Sequence, residues 1–167
     1  LTLDDAMAGL SVSQAVTLDA TTEQIISGAA DLALNGGITV NSGTLSSSGG
    51  TVSASSLSLG NAGIINFQGG ALTLPAGGTA VSGATFSTSG TTIQLGGSLN
   101  LADTWTSTNT NLSLTADAEL SSTAAVEAAT IKTNGFNFKL ASETTDLTIS
   151  SGLTINASSE QNTGFST

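Results

Sequence analysis

The stretch Thr92-Ile93-Gln94-Leu95-Gly96-Gly97-Ser98-Leu99-Asn100-Leu101 decides how this chain folds. Two apolar–polar–apolar triplets flank three small residues. A period of two places Ile93, Leu95, Leu99 and Leu101 on one side of extended backbone and Gln94 and Asn100 on the other. Three residues are too few for a helix between them. Glycine reaches the positive φ that a sharp corner requires. The unit is therefore a short half-buried strand, a corner and a second short strand.

The same unit recurs on both sides. Leu32-Ala33-Leu34 is joined by Asn35-Gly36-Gly37 to Ile38-Thr39-Val40. Leu57-Ser58-Leu59 is followed by Gly60-Asn61-Ala62-Gly63 and Ile64-Ile65-Asn66-Phe67. Leu147-Thr148-Ile149 is followed by Ser150-Ser151-Gly152 and Leu153-Thr154-Ile155. Leu72-Thr73-Leu74, Leu112-Ser113-Leu114 and Phe136-Asn137-Phe138 add further triplets. Two architectures use such a unit. Each corner turns an antiparallel hairpin in a β-sandwich, for which Asn35-Gly36 is a good signal, or it bends the chain between faces of a parallel β-solenoid. Strands this short and aliphatics this uniform favour the solenoid, with the sandwich as the alternative. The couplets start at 32, 57, 93 and 147, so no fixed period emerges. A coil of about 20 residues gives about eight turns, roughly 35–40 Å tall at the inter-strand spacing.

Composition agrees. Of 167 residues, 38% are hydrophobic and only 4% aromatic, so the core is built of Leu, Ile, Val and Ala. Charged residues are 8% of the chain, against about 25% in ordinary domains. Residues 32 to 102 carry no charge at all. Like charges directly opposite one another repel, and stacked coils put like positions opposite. Ser and Thr, about a third of the chain, supply the polar surface instead.

The chain is one domain, 1–167, and its ends differ from its middle. Residues 4–15 read as a short helix capped by Asp4 or Asp5, an N-terminal cap within residues 1–15 that hides an open sheet end. Residues 115–129 are Ala-rich and fit helix or strand equally. The chain opens at Leu1 without Met, which reads as a processed product or an excised segment.

Several functions are disfavoured by what the chain contains. The net charge is −10, with 2 Lys and no Arg, so phosphate neutralisation and nucleic-acid binding are not expected. No apolar run is long enough to span a membrane as a helix. With no His and no Cys, the Ser-His-Asp triad, imidazole ligation and zinc are outside its repertoire. Glycoside cleavage needs two carboxylates; Asp103, Asp117, Glu119, Glu143 and Asp146 are the candidates, but no Arg, Tyr or His accompanies them. The chain is therefore read as non-enzymatic and without a cofactor. Calcium wants several clustered oxygens. Asp4-Asp5 and Asp117/Glu119 are the nearest approach, and solvated acids are the commoner outcome. Asn111-Leu112-Ser113 and Asn156-Ala157-Ser158 match the glycosylation acceptor pattern, at a frequency this composition produces by chance.

One segment stands out as a candidate binding face. Thr104, Thr106, Thr108 and Thr110 alternate, with Trp105 between the first two. On a continuous strand the four hydroxyls face one way, a flat array for a glycan or ice with Trp105 as an aromatic platform. The plainer reading, preferred here, is an outward strand face with Trp105 in the core, because ice binders repeat such ranks on successive coils.

The phrases Gly69-Gly70-Ala71-Leu72-Thr73-Leu74, Gly96-Gly97-Ser98-Leu99-Asn100-Leu101 and Asn41-Ser42-Gly43-Thr44-Leu45 resemble those of bacterial surface β-helices. They are similar to autotransporter passenger domains and filamentous-haemagglutinin-type adhesins. The resemblance covers residues 16 to 156 and rests on composition. It implies an exported bacterial chain at the cell surface, forming a rigid scaffold for adhesion, matrix or filament assembly. The expected partners are other copies of itself, or a cell-surface or glycan partner.

Overall fold

A computed structural model describes residues 1–102, 105–123, 125–141 and 146–154, and the backbone of 162–163. Every strand pair is parallel, which rules out the antiparallel sandwich. Among the described residues there is no helix. The chain winds as a β-solenoid with three faces.

The first face stacks Leu10–Val12, Leu32–Leu34, Thr51–Ala54, Ala71–Leu74, Thr92–Leu95, Asn111–Leu114 and parts of Val126–Lys132 and Leu147–Thr154. The second face runs from Val16–Leu18 through residues 38–40, 57–59, Gly78–Ala80, Leu99–Leu101, Ala118–Ser122 and Phe138–Leu140 to Asn162–Thr163. The third face stacks Gln24–Ile26, residues 44–47, 64–68, Thr85–Ser89 and Trp105–Thr108. The strand Val126–Lys132 lies beside Trp105–Thr108 and continues that face.

Register explains why no period is visible in the sequence. On the first face Leu10, Leu32, Val52, Leu72, Ile93, Leu112, Ile131 and Leu153 stand in one column. Leu10 to Leu32 is 22 residues, whereas Ile93 to Leu112 is 19. The difference lies in the corners. In the second coil, residues 41–43 turn from the second face to the third. Asn41 there stands opposite two residues, Gly60 and Asn61, which form a bulge in the strand Leu57–Gln68. In the following coils the same corner spans 60–63 and 81–84. Eight strands on the first face make about seven steps of the coil, about 34 Å at this spacing, against about eight turns expected.

The core is a set of aliphatic columns. Leu72, Leu74, Ile93, Leu95, Leu99 and Leu112 are fully buried. On the third face, Ile25, Leu45, Ile65, Phe86 and Trp105 share a column. Phe86 and Trp105 meet edge to face, centroids 5.8 Å apart. Large and small residues offset each other within a coil. The turn that carries Phe86 has Gly78 and Ala80 where neighbouring turns have Leu57, Leu59, Leu99 and Leu101. Such packing is dense, so each buried Leu contributes about 1.5–3 kcal/mol relative to exposure.

Two corners show why glycine is needed. Gly77 has φ +79°, and a Cβ there would lie 1.9 Å from the Ser98 carbonyl oxygen of the next coil. Gly70, at φ +65°, would meet the Gly50 carbonyl oxygen of the previous coil at 2.2 Å. Backbone packs on backbone at these corners, leaving no room for a side chain.

The start of the chain departs from the expected helix over 4–15. Residues 1–3 instead form a rung on the third face, where Leu3 N–H donates to Ile26 and Ile26 N–H to Leu1. Asp4 caps a turn, accepting the Ala6 N–H, and Leu10-Ser11-Val12 enters the first face. Period-2 apolar spacing and Gly9 at φ +146° outweigh the local capping signal. The ambiguous stretch 115–129 holds the strand Ala118–Ser122 and the start of Val126–Lys132.

Two predictions test this register. Deleting residues 52–71 joins Thr51 to Leu72, which brings register partners into each other's place. The shortened chain should keep a β-rich circular dichroism spectrum and a cooperative melt, whereas deleting residues 52–61 should abolish both. Leu99→Asp should prevent folding through an unpaired buried charge, and Leu59→Ala should cost about 2–5 kcal/mol. Substituting Ser58 or Asn100, on the outward side, should change denaturant-measured stability by less than ~1 kcal/mol.

Candidate functional site

The Thr-rich segment is divided by the fold. Trp105 points inward and is 2% exposed. Its Nε1–H donates to Thr88 Oγ1 at 2.8 Å, and Thr88 in turn shares a hydrogen bond of 2.8 Å with Thr110 Oγ1. Thr110 is fully buried. The alternation fails at Asn109, whose φ of +50° turns the chain from the third face toward the first. Thr110 therefore sits inside, as partner to an indole that needs a polar acceptor when buried.

Thr106 and Thr108 remain exposed; Thr104 lies outside the described residues. Their companions come from other coils. Ser46, Asn66, Ser87 and Thr106 form one outward column, and Gln68, Ser89 and Thr108 another. Sequence reasoning found one rank and missed these columns. The available signal was the recurrence of small polar residues at offsets of 19 to 21, visible only once the register is known.

The first face carries a second uncharged array. Ser53, Thr73, Gln94 and Ser113 stack outward, with Thr73 Oγ1 donating to Gln94 Oε1 at 3.0 Å. Asn111, of the acceptor tripeptide, stands beside Thr130, whose hydroxyl donates to its Oδ1 at 2.6 Å. Asn156 lies outside the described residues. These hydroxyls and amides are largely engaged with their own ladders.

Several acids are hydrogen-bonded to a neighbouring coil. Asp5 Oδ1 accepts the Ala29 N–H at 2.7 Å, and Asp31 Oδ1 accepts the Thr51 N–H at 2.7 Å. Asp19 Oδ1 accepts from Asn41 Nδ2 at 2.7 Å. Asp117 accepts the backbone N–H and the side-chain amide of Asn137, at 2.8 and 2.9 Å. Each ties one coil to the next. Glu119 pairs with Lys139 at 3.0 Å, one coil on. Of the other carboxylates considered for sugar chemistry, Asp146 accepts the Val126 N–H through its carbonyl, while Asp103 and Glu143 lie outside the described residues. Among the described residues, Asp117 and Glu119 each join one coil to the next.

No family model, curated protein or solved structure matches this chain. The β-solenoid and its stacked polar columns are therefore the basis for any functional reading.

The two hydrogen bonds from Asn137 hold the Asp117 carboxyl below the usual carboxylate range. A lowered folded value gives stability that is present above the unfolded value of about 3.9 and is lost as pH falls through the folded one. Wild type should therefore exceed Asp117→Asn in stability by a constant amount above about pH 5. The gap should close in more acid solution, as followed by urea melts across that range.

Proposed function

We propose that this chain is an exported structural protein, its solenoid serving as a rigid cell-surface scaffold for adhesion, matrix or filament assembly. The carrying observation is the construction of the molecule. Aliphatic columns fill the inside, small uncharged residues cover the coils from 32 to 102, and acids link successive coils. The side chains with catalytic potential are scarce and dispersed, which supports a non-enzymatic role. An extracellular setting suits a chain without Cys or buried reactive groups, and kinship with bacterial surface β-helices remains part of the same proposal.

A second reading is a glycan- or ice-binding module. The exposed columns ending in Thr106 and Thr108 favour it. Thermal melts against a neutral and acidic glycan library, with an ice-recrystallisation assay, separate the two. The scaffold reading expects no saturable melting shift and no inhibition of ice growth. A saturable shift, or inhibition that disappears in Thr106→Lys/Thr108→Lys, would replace it with the module.

A further inference from the structure

Between residues 31 and 132, the outward side of the first face carries two charges of opposite sign and no others. Asp31, just before the strand Leu32–Leu34, and Lys132, at the end of Val126–Lys132, are both exposed. Between them the outward residues of Thr51–Ala54, Ala71–Leu74, Thr92–Leu95 and Asn111–Leu114 are Ser, Thr, Asn, Gln or Ala. The formal charges of this face therefore cancel, on a chain whose net charge is −10.

Both charges can meet a partner. Asp31 accepts the Thr51 N–H through Oδ1, which leaves Oδ2 to accept from outside. Lys139 is held by Glu119, but among the described residues no carboxylate lies within ion-pair distance of Lys132. Each stands at a hollow. Asp31 lines a groove of about 490 Å³ with Ala33, Thr51 and Ser53. Lys132 lines one of about 260 Å³ with Asn111, Ser113 and Thr130. In the second groove Asn111 Oδ1 accepts from Thr130, and Ser113 Oγ accepts from Asn134 Nδ2. The groups left over are donors: the Lys132 ammonium, Asn111 Nδ2 and the Ser113 hydroxyl. Such a groove suits a carboxylate.

The spacing fixes an orientation. Asp31 and Lys132 are five steps of the coil apart, about 24 Å. The midpoint falls between the rungs of Thr73 and Gln94. A copy turned end for end about an axis lying in the face at that midpoint sets its Lys132 against Asp31, and its Asp31 against Lys132. Along the strands the two positions are offset by two residues, roughly 7 Å, which a four-carbon lysine stem spans. Copies laid face to face and pointing the same way would oppose Asp31 to Asp31 and Lys132 to Lys132.

We propose that two copies pair side by side and antiparallel through their first faces, with two symmetric Asp31–Lys132 contacts across a flat uncharged centre. This rests on the scaffold reading, whose partner it names as a second copy of the chain. The contact is isologous, each residue pair occurring twice. Six rungs about four residues wide outline roughly 400 Å², so the dimer belongs to the weak, concentration-dependent class.

The test is a charge swap in the 167-residue chain, read by sedimentation equilibrium. Wild type should dimerise with rising concentration, and added salt should weaken the dimer. Asp31→Lys puts two cations on the face and Lys132→Glu two anions, so each alone should stay monomeric. An equimolar mixture of the two should form a heterodimer, and the double variant Asp31→Lys/Lys132→Glu should dimerise with itself. Ser58→Asp, outward on the second face, should behave as wild type does. Circular dichroism melts verify folding. Asp31→Asn and Lys132→Gln replace any variant that fails it, and each should raise the dimer dissociation constant about 2- to 30-fold, as loss of two surface ion pairs does. A wild type monomeric at millimolar concentration, a single charge reversal that dimerises as wild type does, or a mixture that stays monomeric would each overturn the proposal. The glycan melts address the scaffold reading separately. A strict monomer without glycan response overturns the pairing alone, and a saturable response with the charge-swap pattern intact overturns the scaffold alone.

Discussion

Parallel, in-register stacking of one coil on the next is the constraint from which the rest of this molecule follows. Successive rungs are joined by backbone hydrogen bonds and lie about 4.7–4.9 Å apart. Each side chain then has a same-face neighbour above and below at that distance. Inside, the rule favours residues that stack on themselves, and columns such as Leu74, Leu95 and Leu114 result. Outside, it penalises like charges. Among the described register pairs no two like charges are stacked, and the single charged couple is Glu119 on Lys139. The uncharged run from 32 to 102 is the sequence form of the same rule.

The strands and most corners were legible because they are local. Ile93-Gln94-Leu95 and Leu99-Asn100-Leu101 announce their buried faces by alternation, and Gly96-Gly97 announces the turn between them. Parallel against antiparallel pairing was not legible with certainty, since a corner of three small residues serves either. The register was hidden more deeply. Corners differ in length from coil to coil, as 41–43 does from 60–63, where Gly60 and Asn61 bulge against Asn41, so equivalent residues drift between 19 and 22 residues apart. Gly78 breaks the column of Leu57 and Leu99, and Phe86 in the same turn supplies volume in its place. Repetition here is conserved in space and lost in sequence.

The Thr segment shows the limit of local patterning. Period-2 reasoning correctly gives Thr106 and Thr108 the same side, and it fails at one residue. Asn109 enters the left-handed region, which Asn tolerates better than most residues. Beyond it the inside–outside assignment reverses, and Thr110 becomes an interior hydrogen-bond partner. The helix expected over 4–15 fails for a related reason. Asp4 and Asp5 carry a genuine capping tendency, but they spend it on a tight turn and on the Ala29 amide of the next coil. Tertiary stacking supplies hydrogen-bond partners for residues 1–3 and 10–12 that an isolated helical turn would have to find locally.

Stacking also determines where charge can be useful. A carboxylate inside a column would face its own kind in any coil that repeats it; Glu119 and Glu127 stand in columns against Lys139 and Thr148, while Asp5, Asp31 and Asp117 stand at turns, where coils differ in length and need not superpose. There Asp5, Asp31 and Asp117 each accept an amide N–H from the following coil. Hydrogen bonds to a charged acceptor are stronger than neutral ones, so these links strengthen the joints between the coils they connect. The middle coils add uncharged links, Thr73 to Gln94 and Trp105 through Thr88 to Thr110, to burial and ladder hydrogen bonds. Apolar columns thus hold the coils together from inside, and polar links, charged at the turns of Asp5, Asp31 and Asp117, join them from outside.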